Sequence, residues 1–245
     1  MKTPLAPCAA LILVALMGGC QSAPLSVLVF SRTQGFRHDS IPAGLKAIEK
    51  LGTEHDFCVT TTEDPRQFTS ASLKTHHVVI FLNTTGDVLD DLQQVAFEEF
   101  IRRGGGFVGV HSAADTEYDW PFYGGLVGAY FKNHPAIQSA TITIVNREHP
   151  ATIDLPESWT RVDEWYNYIA PPPPEVQILL ALDTSSYEGS EMIDDHPIAW
   201  CHEYEGGRAF YTGLGHTDES YAEDLFLQHL LGGILWAGNR ATNTE

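Results

Sequence analysis

Positive charge is scarce in this sequence: 14 Lys and Arg stand against 32 Asp and Glu in 245 residues, a formal net charge of −18. So acidic a surface repels phosphate backbones, and no nucleic-acid partner is expected. Cysteine is scarce as well. Of four cysteines, Cys8 and Cys20 fall in the first twenty residues, leaving Cys58 and Cys201, too few for a disulfide framework. Each lies in an apolar, strand-like run, so the expectation is two buried thiols, with a Cys58–Cys201 pair as the alternative in an oxidising compartment. Long apolar stretches are missing beyond residue 20, so no membrane-spanning segment is expected in the remainder. Internal repeats and low-complexity tracts are also lacking.

The one apolar run, residues 5–19, follows Lys2 and is too short to span a bilayer comfortably, which is the pattern of a signal peptide. It ends in Gly18-Gly19-Cys20, two small residues directly before a cysteine, with Met17 where Leu is commoner. That pattern predicts a lipoprotein signal over 1–19, acylation of Cys20, a short tether over 20–24 and one domain over 25–240. Gln21 stands where an Asp would favour retention at the inner membrane, so the expected address is the outer membrane, facing the periplasm and reached through the lipid anchor.

Along the domain, short β-rich runs alternate with helical patterns, the signature of βαβ units on a parallel sheet with helices on both faces. Strands are expected at 25–30, 57–61, 78–82 and 107–110. Helices are expected at 41–51, with Ser40 as its cap and Pro42 in the first turn, and at 88–103, ended by Gly104-Gly105-Gly106. The unbroken apolar run 78–82 reads as a buried central strand. The second half is less regular, with strands expected at 141–145, 161–166, 177–182, 198–202 and 209–213 and a closing helix over 221–236. Pro171 to Pro174 reads as a rigid strand-to-strand spacer.

The most informative segment is Gly109-x-His111-x-Ala113 at the end of a buried strand. Small residues two before and two after the central position permit the strained strand-to-helix turn of a nucleophile elbow. The central residue here is His111. Ser112 is off-centre by one, which argues against a serine hydrolase, and no cysteine lies nearby for amidotransferase chemistry. An imidazole presented at such a turn serves as acid, base or metal ligand.

Five stretches occur in order: Gly35-Phe36-Arg37-His38-Asp39-Ser40, the Gly104–Ala113 segment, Asn133-His134-Pro135, Asp163-Glu164-Trp165-Tyr166 and Gly213-Leu214-Gly215-His216-Thr217-Asp218. Together they resemble the trehalose-utilisation (ThuA-like) family, over about 25–238. The resemblance implies a flavodoxin-like sheet related to class I glutamine amidotransferases, with the amidotransferase cysteine replaced, and a role in sugar catabolism. It further implies, as partners, sugar dehydrogenases that make 3-keto sugars or keto-glycoside hydrolase domains.

In open parallel sheets ligands sit beyond the carboxyl ends of the strands, and the motifs fall there. His38 follows the first strand, Asn83 the third, His111 and Asp115 the fourth, and His216 and Asp218 the last. His38, His111, Glu164 and His216 are the catalytic candidates. Arg37, Asn83, Asp115, Trp120, His134, Trp165 and Asp218 are the substrate-binding candidates, the two Trp as stacking faces for a small carbohydrate. His55, His76, His77, His149, His196, His202 and His229 lack that placement. Three functional classes are consistent with the pattern. The first is an enzyme on keto-sugars or their glycosides, in which a ketone acidifies the neighbouring C–H and a base drives isomerisation or elimination. The second is a hydrolase using a divalent metal such as zinc held by His38, His111 and His216, which must come from distant loops because no His-x-His or His-x-x-x-His spacing exists. The third is a sugar-binding lipoprotein without chemistry.

Overall fold

The computed structural model describes residues 24–192 and 196–239; the proposed signal peptide and Cys20 lie outside the described residues. The first half runs β1 (Leu25–Phe30), α1 (Ile41–Glu54), β2 (Phe57–Thr62), α2 (Ser70–Leu73), β3 (Val78–Leu82), α3 (Asp91–Arg102), β4 (Gly106–Val110) and α4 (Pro121–Val127). The second half runs β5 (Phe131–Asn133), β6 (Gln138–Ile144), β7 (Ser158–Asp163), β8 (Asn167–Tyr168), β9 (Gln177–Leu182), β10 (His196–Tyr204), β11 (Gly207–Thr212) and α5 (Asp224–Ala237). Nine strands form one sheet in the order β2-β1-β3-β4-β11-β10-β9-β6-β7, with β5 and β8 as a separate small ribbon. The pairings from β2 across to β11 are parallel. From β11 to β7 they are antiparallel, so β10 and β6 alone run against the other seven.

Every residue of β3 and β4 is buried, as an apolar strand covered on both faces must be. One cover is α1 and α5: Gly44 abuts Leu82, and Gly233 abuts Phe210. The opposite cover is α3 and α4, where Phe97 and Tyr123 pack on Phe81 with ring centroids 5.4 and 5.5 Å apart. This is a mixed α/β domain with a large, mostly parallel sheet and helices on both faces.

Several boundaries differ from the sequence reading, each for an identifiable reason. Helix α3 starts at Asp91 and not at Val88, because Asp90 forms a capping box, accepting from Leu92 N (3.1 Å) and Gln93 N (3.0 Å) while Gln93 Oε1 accepts from Asp90 N (3.0 Å). The amides of Val88 and Leu89 are instead taken by the buried carboxylate of Glu117 at 2.8 and 2.7 Å. Ser40 precedes α1 but does not cap it; its hydroxyl accepts from Asn83 Nδ2 at 3.0 Å. Strand β7 stops at Asp163, whose own Oδ1 accepts from Glu164 N at 3.0 Å and turns the chain out of the sheet. Residues 218–222 form a 3-10 turn, so the closing helix begins at Asp224. Cys58 and Cys201 are both free, and Cys58 is exposed on β2, not buried as expected, while Cys201 is buried.

Candidate active site

At the carboxyl end of β4 the chain makes the sharp turn that its small residues permit. His111 has φ +49°, in the left-handed region that costs a β-carbon-bearing residue strain. A Cβ at Gly109 would meet Tyr211 at 3.0 Å and Ala113 at 3.2 Å, so glycine is required two residues before the turn. Tyr211 Oη donates to the His111 carbonyl at 2.8 Å, and the ring Nδ1 lies 2.9 Å from the carbonyl of Gly213. Because that carbonyl can only accept, Nδ1 donates to it and Nε2 is directed into the cluster.

The loop after β11 supplies His216. Its backbone is fixed from two sides: the Gly215 carbonyl accepts from Asn83 Nδ2 (3.1 Å) and Tyr221 Oη (3.0 Å), and the amides of Gly215 and His216 donate to Asp163 at 2.9 and 3.1 Å. Asp163 is fully buried and also pairs with Arg161 at 3.1 Å. This one carboxylate therefore joins the loop carrying His216 to the segment carrying Glu164.

Glu164 Oε2 lies 3.3 Å from His111 Nε2 and 3.1 Å from His216 Nδ1, and Oε1 lies 3.1 Å from His134 Nδ1. His111 Nε2 and His216 Nδ1 are themselves 3.2 Å apart. His38, brought in by the loop after β1, packs edge-on against both rings with centroids 5.0 Å away, and its Nδ1 meets Ser112 Oγ at 3.3 Å. One ligand atom from each of His38, His111, Glu164 and His216 lies within 4.8 Å of the others.

Burial pushes the Glu164 carboxyl up, but hydrogen bonds from His111 and His216 outweigh it and hold the group well below the usual carboxylate range. Burial also opposes the charged form of His216, yet Glu164, with Asp163 and Asp39, raises it above the ordinary imidazole value. His38 goes the other way, lowered to about 3 by burial and by the neighbouring His111 and His216. The His111 Nε2, the His216 Nδ1 and an ionised oxygen of Glu164 thus meet within 3.1–3.3 Å of one another. Imidazole nitrogens and a carboxylate oxygen converging in this way are a donor set that suits a divalent cation. The spacings among His111, Glu164 and His216, 3.1–3.3 Å, match the ligand–ligand edges of about 3.3 Å of a tetrahedral zinc site with bonds of about 2.0–2.1 Å, and His38 stands within 4.8 Å of them.

The cluster opens into a cavity of about 390 Å³ lined by Phe36, His38, Asp115, Phe131, His134, Glu164, Tyr166 and His216. The Tyr166 ring packs at a tilt against His111 and Phe131, with centroids 4.2 and 4.3 Å away, setting apolar rings beside the polar cluster. Of the substrate-binding candidates, Asp115 and His134 line this cavity. Asp218 lines an adjoining concavity on the far side of Phe36 and His216. Asn83 is fully buried behind the His216 loop. The remaining three lie elsewhere. Arg37 is exposed and pairs with Glu63 at 2.7 Å. Trp120 packs under α3 with Nε1 donating to Glu98 at 3.0 Å, and Trp165 is wholly buried with Nε1 donating to the Gln138 carbonyl at 2.9 Å. The aromatic rings that line the cavity are Phe36, Phe131 and Tyr166 instead. Asp163, Phe36 and Phe131 escaped the sequence reading; Asp163 stands inside a motif but directly beside the more obvious Glu164.

Fold and site together define a flavodoxin-like α/β protein with a three-histidine, one-carboxylate cluster at the carboxyl ends of its parallel strands. The chain belongs to the ThuA family, described by trehalose utilisation, whose profile matches residues 26–237. A ThuA-like protein from Bacteroides uniformis is 26% identical, with a TM-score of 0.76 over 90% of this chain and 94% of that one. A second, from Parabacteroides merdae, is 19% identical with a TM-score of 0.75 over 91% and 93%. The β-galactosidase from Bacillus circulans sp. alkalophilus shares the fold over 86% of this chain and 31% of its own, at 14% identity and a TM-score of 0.55. The sequence matches no curated protein.

Proposed function

We propose that this chain is a divalent-metal-dependent enzyme acting on small keto-sugars or their glycosides. One observation carries the reading: ligand atoms of His38, His111, Glu164 and His216 all lie within 4.8 Å of one another in a largely buried cluster, with His111 Nε2 3.3 Å from the Glu164 carboxylate. The family's description supports a carbohydrate as the substrate class. The cavity is compatible with one, since apolar rings at Phe36, Phe131 and Tyr166 offer faces for the C–H side of a pyranose while His134 and Asp115 offer polar groups for its hydroxyls.

A bound divalent cation supplies Lewis acidity, stabilising negative charge that develops on a carbonyl or hydroxyl oxygen. The protein's share is positional. His111 is locked by Gly213, His38 is steadied by Ser112, and Glu164 and His216 are tied through Asp163, so the four groups need little rearrangement on binding. Closing the pocket with aromatic rings lowers its polarisability and strengthens every charge interaction inside it.

The test is metal analysis of the purified protein together with product analysis on 3-keto-glucosides. About one equivalent of a divalent metal and turnover abolished by chelator are expected, and His111→Ala should lose both metal and turnover while remaining folded. Metal well below one equivalent with full activity in chelator would leave acid–base chemistry by histidine alone. Saturable sugar binding without turnover would make the chain a binding protein instead.

A further inference from the structure

We propose that Asp115 is the proton-transfer group of this site, its free carboxylate oxygen taking the proton from the carbon next to the substrate carbonyl. The inference rests on the keto-sugar reading above and assigns the base that such a reaction needs.

The cluster residues are poor bases. Both oxygens of Glu164 are engaged by histidines, His38 is buried with Nδ1 on Ser112, and His111 has one nitrogen on Gly213 and the other in the cluster. His134 points its Nδ1 at Glu164 and at the Pro135 carbonyl. Tyr166 is held in its phenol form by burial. Asp115 is different. It lines the same cavity from the rigid 3-10 turn that follows the elbow. One oxygen, Oδ1, is fixed by Tyr118 Oη at 2.7 Å, a hydroxyl shared with the Phe131 carbonyl at 3.0 Å. The other has no bond to the described residues, and no Lys or Arg among them forms an ion pair with it.

Its surroundings suit the role. Burial raises the carboxyl of Asp115 above the usual carboxylate range, against smaller opposing effects of Tyr118 and His111. The titratable groups that line the cavity with it are His38, His134, Glu164, Tyr166 and His216. Of the two carboxylates in the cavity, Glu164 is bonded through both oxygens and Asp115 through one, an arrangement that divides an electrostatic role from a proton-transfer role. The substrate of this step is a 3-keto-glycoside. The Asp115 carboxylate takes the proton from C2, the C2–H electron pair becomes the second bond between C1 and C2, and the C1–O bond breaks with its pair on the departing oxygen. That oxygen takes a proton from solvent, and Asp115 returns its own to solvent.

The experiment measures turnover of a 3-keto-glucoside, exchange of its C2 hydrogen in deuterated water, and metal content for wild type, Asp115→Asn, Asp115→Ala and Tyr118→Phe. Asp115→Asn should lose about 10²–10⁴-fold in kcat and in exchange, with metal content unchanged and KM within about threefold. Tyr118→Phe, which unpins the carboxylate, should lose about tenfold or less and shift the acid limb of the pH profile. Formate should partly restore Asp115→Ala in a concentration-dependent way, which no structural role of Asp115 would produce. A folded, metal-loaded Asp115→Asn within threefold of wild type, or an Asp115→Ala deaf to formate, overturns the assignment and leaves the proposed function standing. A wild type inert on the keto-glucoside overturns both.

Discussion

Asp163→Asn removes one charge and changes almost no volume, so it isolates what a single buried carboxylate does for this site. Asp163 Oδ1 accepts from Glu164 N (3.0 Å) and His216 N (3.1 Å), while Oδ2 accepts from Gly215 N (2.9 Å), weakly from Ser220 Oγ (3.4 Å), and pairs with Arg161 (3.1 Å). An asparagine oriented to keep the first pair places its own N–H₂ against the Gly215 amide and the Arg161 guanidinium, donor against donor. Hydrogen bonds to a charged acceptor are worth about 1.5–3 kcal/mol each, and breaking a buried ion pair from one side costs about 3–5 kcal/mol. Arg161 keeps Glu223 at 2.9 Å, which softens the loss, so about 3 kcal/mol is expected. For a domain of this size that is a fall in Tm of roughly 6–12 °C.

The same substitution loosens two cluster residues at once, because Glu164 and His216 both take their backbone position from Asp163. Metal affinity should therefore fall about 10–100-fold, the usual cost of removing a group that orients ligands. Urea and thermal unfolding of chelator-treated protein give the stability change, and equilibrium dialysis against the metal gives the affinity. A stability loss below about 1 kcal/mol, with affinity unchanged, would refute the claim that this carboxylate organises the site.

Lowering the pH from 7.5 to 5.5 should destabilise the metal-free protein. His38, His149 and His229 have folded-state values of about 3, 4 and 4, all lowered chiefly by burial, so below about 6.5 the unfolded chain binds protons that the folded chain refuses, and stability falls by about 1 kcal/mol per histidine over this interval. His216, with its raised value, contributes stability below 6.5 that is lost as pH climbs through its folded value, opposing part of the trend; denaturant melts that are flat across the interval would contradict the assignment. Glu117→Ala should cost about 2–4 kcal/mol, because it strands the amides of Val88 and Leu89 and the Gln94 side chain that donates to Glu117 at 2.8 Å, and chemical denaturation showing less than about 1 kcal/mol would show that water replaces the carboxylate.

The sheet was largely legible because its strands carry their own evidence. Runs such as Val78–Leu82, bounded by His77 and Asn83, and Gln177–Leu182, ended by Asp183, need no knowledge of the partner to be recognised, and both occur with the expected bounds. The strand-end positions of His38, His111 and His216 followed from the same logic, and the left-handed turn at His111 follows from the small residues spaced around it. What was hidden depends on residues distant in sequence. Helix α3 begins late because Glu117, far downstream, takes two amides that would otherwise enter it. Trp120 and Trp165 are core side chains, and nothing local distinguishes an aromatic that stacks on Tyr123 or donates to Gln138 from one that faces a ligand. Arg37 is claimed by Glu63, an exposed residue beyond the first helix. The role of Asp163 was the least visible, since a carboxylate in a strand reads as a solvated residue until the loop after β11 folds against it.

The direction of β1 bears on the proposed lipid anchor. Leu25 opens the strand at the amino end of the sheet, while His38, His111 and His216 follow strands at the carboxyl end. Four residues lie between Cys20 and Leu25, and the five chain steps span at most about 17 Å when fully extended. A strand rising about 3.3 Å per residue then carries the six residues of β1 roughly 20 Å further. An acyl chain on Cys20 would thus hold the amino edge of the sheet near the bilayer and leave the cavity on the side away from it, open to a diffusing sugar. Cys20→Ser should release the protein to the soluble fraction with kcat and KM on the keto-glucoside unchanged within about twofold. Fractionation with fatty-acid labelling checks the first part and kinetics the second. Wild type that is already soluble and unlabelled would remove the anchor from the account, and a labelled wild type whose activity changes on release would place the cavity close to the membrane.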